Sequence, residues 1–404
     1  MKYVFEVGHA SGALKLAYDS RLNTLDGAGV PPNSIMSQRD GEELRLNIVK
    51  GTACNYRCGY CCQADMKKEI FSPLRLDAFV SGVRDYCDRH FCHVDAARVL
   101  FWGGEPLLYF DMMKELAAGL RDVKPRTLLG ICSNGALLNE ENLAWLHDNH
   151  VGVGFSYDGP GQSARDESDV LAPGSFALEA LKDGVARHHW SVNPVFHRKN
   201  PLVSRFIDFM DERLGSEEWA IGDVQMLMVG DEASAAWALS EKELYAFSLD
   251  CCRELFIGRG RRFAHAYVQA AKSFLRSLGQ TGGFGGCQNA QPGALSLNVD
   301  ITGNVWACHS FAGKHEDERG GNLHMGTLEG PRVPVKLAVL ESRRERACMD
   351  CVMRMFCGGG CLGTPEKYDE VNCRIQWHKW FPALSMAVNM LTGGQLLGVK
   401  RLEA

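Results

Sequence analysis

The chain lacks any run of about eighteen apolar residues, so no membrane-spanning helix is expected. Its start, MKYVFEVGHA, has no charged region leading into an apolar stretch and a cleavage site, which argues against export. An excess of positive charge is also missing. At a net charge of −5 the surface offers no generally basic face, so neither nucleic acid nor a membrane surface is an expected partner. Arg259, Arg261 and Arg262 form only a small basic patch, read as a solvated helix start. The run Gly282-Gly283-Phe284-Gly285-Gly286 follows a helical pattern, not a strand. It is therefore a flexible joint and not a phosphate-cradling loop. What the chain has in quantity is cysteine, sixteen in 404 residues. Without a secretion signal, that density points to metal ligation or catalysis in the cytoplasm and away from a disulfide framework.

Three of these cysteines fall within CNYRCGYC: Cys54, Cys58 and Cys61. Thiolates so spaced on one loop can converge on a single soft-metal centre. Zinc normally closes with a fourth ligand nearby, and none follows at finger spacing, although Cys62 is adjacent. A zinc loop completed by Cys62 or a distant histidine is the rival reading. A cubane iron–sulfur cluster on three cysteines would leave one iron open, and that suits the spacing better. Tyr60, between two of the ligands, would face whatever occupies that iron. A second set, Cys287, Cys308, Cys348, Cys351, Cys357, Cys361 and Cys373, lies near the C-terminus. Paired zinc knuckles compete with iron–sulfur clusters there on spacing alone. Gly358, Gly359 and Gly360 would let backbone fold closely around a cluster. Cys62, Cys87, Cys92, Cys132, Cys251 and Cys252 read as ordinary packing positions. His309 directly follows a proposed ligand and is a candidate catalytic group, against the plainer reading of a hydrogen-bonded bystander.

Between the cysteine sets the hydrophobic pattern alternates. Residues 1–42 read as an extension, with a short strand or hairpin and the loop GAGVPPNS. Strands are expected at 44–51, 97–104, 126–135, 151–159, 191–197 and 223–230. Helices follow from about Ser72-Pro73, then at 109–121, 139–147, 176–189 and 202–213. Repeated strand–helix units imply a parallel sheet with right-handed crossovers, closed into a barrel or open. Either way, the cysteine loop, Gly103 to Pro106, Ser133-Asn134-Gly135 and Ser156 to Gly159 all end strands and share one rim. Residues 241–279 read as two helices, LSLNVDITGNVWAC as a hairpin turning at Thr302-Gly303, and the end of the chain as a helical tail.

CNYRCGYC resembles the signature loop of radical S-adenosylmethionine (SAM) enzymes. The seven later cysteines resemble the SPASM domain of their peptide- and protein-modifying members. The resemblance implies a partial (β/α)6, TIM-like barrel and then a small cysteine-rich domain holding two auxiliary clusters. The expected division is an extension at 1–42, the barrel at 43–235, a helical bridge at 236–286, the SPASM domain at 287–380 and a tail at 381–404. It implies SAM and three 4Fe–4S clusters. Cys54, Cys58 and Cys61 would hold the SAM-binding cluster. Cys348, Cys351, Cys357 and Cys373 would hold the distal auxiliary cluster, and Cys287, Cys308 and Cys361 the nearer one. SAM would meet Tyr60, the turn Gly103, Gly104, Glu105 and Pro106, the turn Ser133 and Asn134, Ser156 and Asp158, with Arg165 near its carboxylate.

The implied activity is reductive cleavage of SAM to a 5′-deoxyadenosyl radical that takes hydrogen from a ribosomally made peptide. The product would be a thioether or carbon–carbon crosslink, or another oxidation. Formylglycine formation and small-molecule dehydrogenation are the enzymatic alternatives; an iron–sulfur electron carrier or zinc scaffold is the non-enzymatic one. Two departures narrow this. Residues 288–307 hold no cysteine, and His309, not aspartate, follows Cys308, which counts against sulfatase maturation and implies a nearer cluster on three cysteines with an open or unusual fourth ligand, where substrate or a thiolate could bind. The 42 residues before the barrel are too few for a winged-helix leader-binding domain, so a separate protein or a sheet edge would read the leader. A flavodoxin- or ferredoxin-type donor would supply electrons.

Overall fold

The computed structural model describes residues 2–9, 12–26, 43–64, 66, 75–187, 190–279, 295–313, 323–331, 348–361 and 364–402. The loop GAGVPPNS, the helix start at Ser72-Pro73, the glycine joint at 282–286 and Cys287 lie outside these residues.

Three short strands open the chain, β1 (Lys2–His9), β2 (Gly12–Asp19) and β3 (Thr24–Asp26). Phe5 and Val7 on β1 and Leu16 and Tyr18 on β2 are buried, one face of a period-two pattern. The barrel follows. Strands β4 (Glu43–Val49), β5 (Ala96–Trp102), β6 (Arg126–Ser133), β7 (Gly152–Phe155) and β8 (Trp190–Val192) pair in parallel in sequence order. Helices α1 (Leu76–His90), α2 (Phe110–Leu120), α3 (Glu140–Asp148) and α4 (Phe176–Ala186) make the crossovers. On α1, Phe79, Val83, Tyr86 and Cys87 are buried, the stripe expected of a helix lying on a sheet. Asn139 starts α3 with a reciprocal capping box to Asn142.

The fifth and sixth expected strands come out short. Asn193-Pro194 interrupts the first of them, giving β9 (Val195–Phe196) after β8. The strand expected over 223–230 contracts to β10 (Gln225–Met226), because β9 is its only described partner. The barrel is partial, as expected. Helix α5 (Val203–Leu214) runs between β9 and β10, and a short helix α6 (Glu232–Ala235) leads to α7 (Glu241–Phe256) and α8 (Ala264–Ser277).

The C-terminal hairpin, β11 (Ser296–Asp300) and β12 (Asn304–Trp306), forms as its alternation suggests. Its partner was not foreseen. β11 pairs in parallel with β4, so the barrel sheet continues through it to β12 and β13 (His324–Thr327). Asn47 on β4 donates from Nδ2 to Asn298 Oδ1 at 2.7 Å across that seam, so neither buried amide is left wholly unpaired. A four-residue helix α9 (Arg354–Cys357) precedes the long helix α10 (Asp369–Thr392), which packs on α7 and α8. The chain then returns as β14 (Gln395–Arg401) to pair with β1, giving a terminal sheet ordered β14-β1-β2-β3. Extension and tail are thus one structural element. Among the described residues, no helix is long and apolar enough to cross a membrane.

Candidate active site

The loop carrying Cys54, Cys58 and Cys61 leaves the carboxyl end of β4 and is fastened at its entry by the next turn. Gly103 and Gly104 have φ of 99° and 54°. A Cβ on Gly104 would stand 1.8 Å from the Ala53 carbonyl oxygen, and one on Gly103 2.2 Å from that of Gly51. Only glycine satisfies both the conformation and the close approach. Glu105 N donates to Ala53 O at 2.9 Å, and Ala53 N donates to Tyr109 Oη at 3.0 Å.

Glu105 is buried. Its Oε1 accepts from Ser133 Oγ at 2.7 Å and Leu107 N at 3.1 Å, and its Oε2 from Asn134 N at 2.8 Å. The carboxylate is therefore a tie between the second and third rim turns. Burial raises its affinity for a proton; the three donors and Lys50 oppose this without cancelling it. Lys50 is fully buried beneath the loop, donates to Pro106 O at 3.2 Å and lies against Phe101 and Tyr109. Burial pushes its ammonium down to about 7.

On the other side, Asp158 is the hub. One oxygen accepts from Val195 N at 2.8 Å and meets Arg165 Nη2 at 3.0 Å. The other accepts from the Tyr60 hydroxyl and lies 3.3 Å from His197 Nε2. Burial alone would raise this carboxyl, but Arg165, His197 and Tyr60 outweigh it and hold the group below the usual carboxylate range. Arg165 also lies 5.7 Å from the centre of the Tyr60 ring. Gly59 N donates to Ala164 O at 2.8 Å, joining the cysteine loop to this turn.

These two sides enclose a cavity of about 280 Å3. The structure brings Cys54, Cys58, Cys61, Tyr60, Gly103, Gly104, Glu105, Asn134, Ser156 and Arg165 to its wall. Pro106, Ser133 and Asp158 stand behind the wall and brace it. His309 does not line it; its ring packs edge-on against Trp102 with 4.5 Å between centroids, and burial lowers the imidazole to about 4. Sequence reading missed the wall residues Cys62, Gln63, Cys132, Asn193 and Met228. Asn193 ends a strand, so the rim rule could have found it. Cys132 was read as packing, yet its sulfur lies 3.3 Å from Ser156 Oγ under the cavity. Cys87 and Cys251 are core residues, as expected.

The thiols fit a multi-iron cluster. Burial pushes Cys58 up to about 12, Cys61 and Cys54 add to the rise, and Arg165 opposes it. Three thiolates this close need a cationic centre to exist together. Among the described residues no three His, Cys, Asp or Glu groups converge as a single-ion site requires. A cubane takes each cysteine on a different iron and does not ask for that. At the C-terminus, burial also raises Cys357 to about 12, and Cys351, Cys373 and Cys348 add to the rise, so those three thiols lie within electrostatic reach of Cys357. Asp350, inside this loop, accepts from Arg21 Nε at 2.5 Å, and its carbonyl accepts from the Tyr3 hydroxyl.

Residues 48–182, which carry the cysteine loop and the first rim turns, match the radical SAM superfamily. The expected resemblance therefore holds. The particular relatives extend further along the chain. Radical SAM cyclopropyl synthase TigE of Paramaledivibacter caminithermalis is 23% identical over 369 residues, 83% of this chain and 74% of its own length. The structure of anSMEcpe with bound AdoMet and the Cp18Cys peptide superposes with a TM-score of 0.61 at 17% identity, covering 86% of this chain and all (100%) of that one. Streptococcus suis SuiB bound to its precursor peptide SuiA gives 0.54 at 15% identity, over 79% of this chain and 72% of SuiB. At these identities the likeness to the two structures is one of fold. Such coverage reaches well beyond residues 48–182.

Proposed function

We propose that this chain is a radical SAM maturase that binds SAM in the rim cavity and modifies a ribosomally made peptide. The observation that carries this is one cavity lined by three cysteines, with the tied turns of Glu105 on one side and the Arg165–Asp158 pair on the other. A 4Fe–4S cluster on Cys54, Cys58 and Cys61 would supply the electron that cleaves SAM and yields a 5′-deoxyadenosyl radical able to take hydrogen from an unactivated carbon. Arg165 keeps a buried Nε without a partner while Asp158 holds its other end, so the guanidinium can bind the SAM carboxylate through a charge-assisted contact. Ser156 offers a hydroxyl beside it. The carbonyls of the Gly103–Glu105 turn are the acceptors for the SAM ammonium, with Glu105 holding that turn to the next. Tyr60, pinned through its hydroxyl, presents a ring for the adenine.

The peptide substrate is favoured by the two fold relatives, both solved with peptides bound. Among the products, the TigE name favours carbon–carbon bond formation over a thioether. Cys348, Cys351, Cys357 and Cys373 would hold the distal auxiliary cluster, and Cys308 and Cys361, with Cys287, the nearer one. A separate leader-binding protein and a flavodoxin- or ferredoxin-type donor complete the scheme. The test is anaerobic incubation with SAM, a strong reductant and the peptide encoded beside the gene. Formation of 5′-deoxyadenosine with a peptide mass loss of two hydrogens is expected. An unchanged peptide alongside turnover of a small alcohol would replace this substrate class, and absence of 5′-deoxyadenosine would remove the enzyme itself.

A further inference from the structure

The rim cavity has one wall that none of the proposed SAM contacts uses. It comes from the last strand of the partial barrel, where Met226, Leu227 and Met228 line the cavity beside Val195. Among the described strands, β10 pairs only with β9. The backbone that continues from it therefore needs partners other than a neighbouring strand.

The long helix α10 supplies them. Asn372 is buried; its Oδ1 accepts from Val229 N and its Nδ2 donates to Val229 O, both at 2.8 Å. The side-chain amide thus stands where a peptide group of an adjacent strand would stand. One helical turn on, Gln376 Nε2 donates to the Met228 sulfur at 2.9 Å. Another turn on, Trp380 Nε1 donates to Gln376 Oε1 at 2.9 Å. An indole N–H can only donate, so this bond sets which end of the Gln376 amide faces the sulfur. Trp380 is itself backed by Phe356 of α9, with 6.2 Å between ring centroids.

Methionine ordinarily fills gaps adaptably, because its side chain is unbranched and turns about three bonds. Met228 is denied that freedom. Asn372 holds the backbone beside it, and Gln376 holds its sulfur. A methionine fixed in this way defines the shape of a wall and does not adjust to what enters.

We propose that Met228 is a specificity-determining residue that places an apolar side chain of the peptide against the radical, an inference that rests on the maturase reading above. The wall it belongs to, with Val195, Met226 and Leu227, is apolar and suits such a group. Asn372 and Gln376 act through Met228 and are positioning residues.

The experiment compares wild type, Met228→Leu, Gln376→Glu and Asn372→Ala, with Glu370→Ala on the exposed side of α10 as control. Gln376→Glu keeps an acceptor for Trp380 and loses the donor to the sulfur. Each protein is reconstituted anaerobically and given SAM, a strong reductant and the peptide encoded beside the gene. SAM affinity, peptide KM, 5′-deoxyadenosine and modified peptide are measured, with thermal melts alongside. Met228→Leu and Gln376→Glu should bind SAM as wild type does. In both, 5′-deoxyadenosine formed per modified peptide should rise about tenfold, because a misplaced carbon is missed by the radical. Glu370→Ala should match wild type. Contacts that served stability alone would lower the melting temperature and leave that ratio unmoved. A ratio unchanged in either Met228→Leu or Gln376→Glu, or a loss of SAM affinity in both, overturns the proposal and leaves the maturase reading intact. Wild type that forms 5′-deoxyadenosine and leaves the peptide unchanged overturns both together. Should Asn372→Ala fail to fold, the other two variants decide.

Discussion

The two cysteine regions are built on opposite terms. Around Cys54, Cys58 and Cys61 the fold itself fastens the loop: backbone contacts under Gly103 and Gly104, the Glu105 tie and the Gly59–Ala164 bond fix it to the sheet. Cys348, Cys351 and Cys357 sit on one tight turn and a four-residue helix, and Cys373 on the first turns of α10. A helix that short has no stability of its own. What holds this loop from outside is the terminal sheet, through Tyr3 and Arg21 on Asp350 and through buried Arg354, which donates to Ser20 O at 3.1 Å. The rim is preorganised by the fold. The C-terminal loop depends on its neighbours and on what its thiols bind, as metal sites without regular structure do.

Breaking the rim should cost most. Gly104→Ala places a methyl group inside the Ala53 carbonyl and demands a left-handed alanine, so a loss of at least about 5 kcal/mol is expected, enough to leave little folded protein. Denaturant melts measure it; a loss under about 1 kcal/mol would mean the loop is not clamped as described. Asp158→Asn should come next, at about 3–5 kcal/mol, because Arg165 is left buried without its counter-charge. SAM affinity should fall with it, read by calorimetry. The sign with pH follows from the depressed Asp158 carboxyl. Its stabilisation is present above the unfolded value near 4 and is lost as pH falls through the lower folded value, so wild type should lose its advantage over the variant only in acid.

Lys50→Met should act in the opposite direction. The buried ammonium is depressed to about 7, so between pH 7 and roughly 10 the unfolded chain binds more protons and wild-type stability rises with pH. That slope approaches about 1.4 kcal/mol per pH unit and should flatten in the variant, with a gain of about 1 kcal/mol at pH 7. Arg21→Ala, at an exposed ion pair, should cost global stability about 0–1 kcal/mol. Its sharper effect is local: hydrogen exchange in residues 348–357 should speed up while residues 51–61 stay unchanged. Equal acceleration in both would remove the contrast.

Much of the barrel was legible because β4 to β7 and their helices keep strict hydrophobic periods, and because each rim turn carries glycine or a polar pair at a strand end. The docking of β11 on β4 was not, since a period-two pattern shows a strand without naming its neighbour. Nor was the pairing of β14 with β1, a contact between opposite ends of the chain. In the site, the motif turns announced themselves, whereas Cys62, Gln63 and Cys132 did not. Their role depends on which way a loop or strand residue faces once the hairpin has closed against the rim. His309 shows the converse: adjacency to a ligand in sequence suggested chemistry, and packing places its ring behind Trp102 instead.

The most direct measurement takes anaerobically reconstituted wild type and a Cys58→Ala variant, reduces both, and records the cluster spectrum before and after SAM together with 5′-deoxyadenosine release. The wild-type spectrum should shift on SAM addition and 5′-deoxyadenosine should form, with both lost in Cys58→Ala. A wild-type spectrum indifferent to SAM and no 5′-deoxyadenosine would contradict the assignment of the rim cavity.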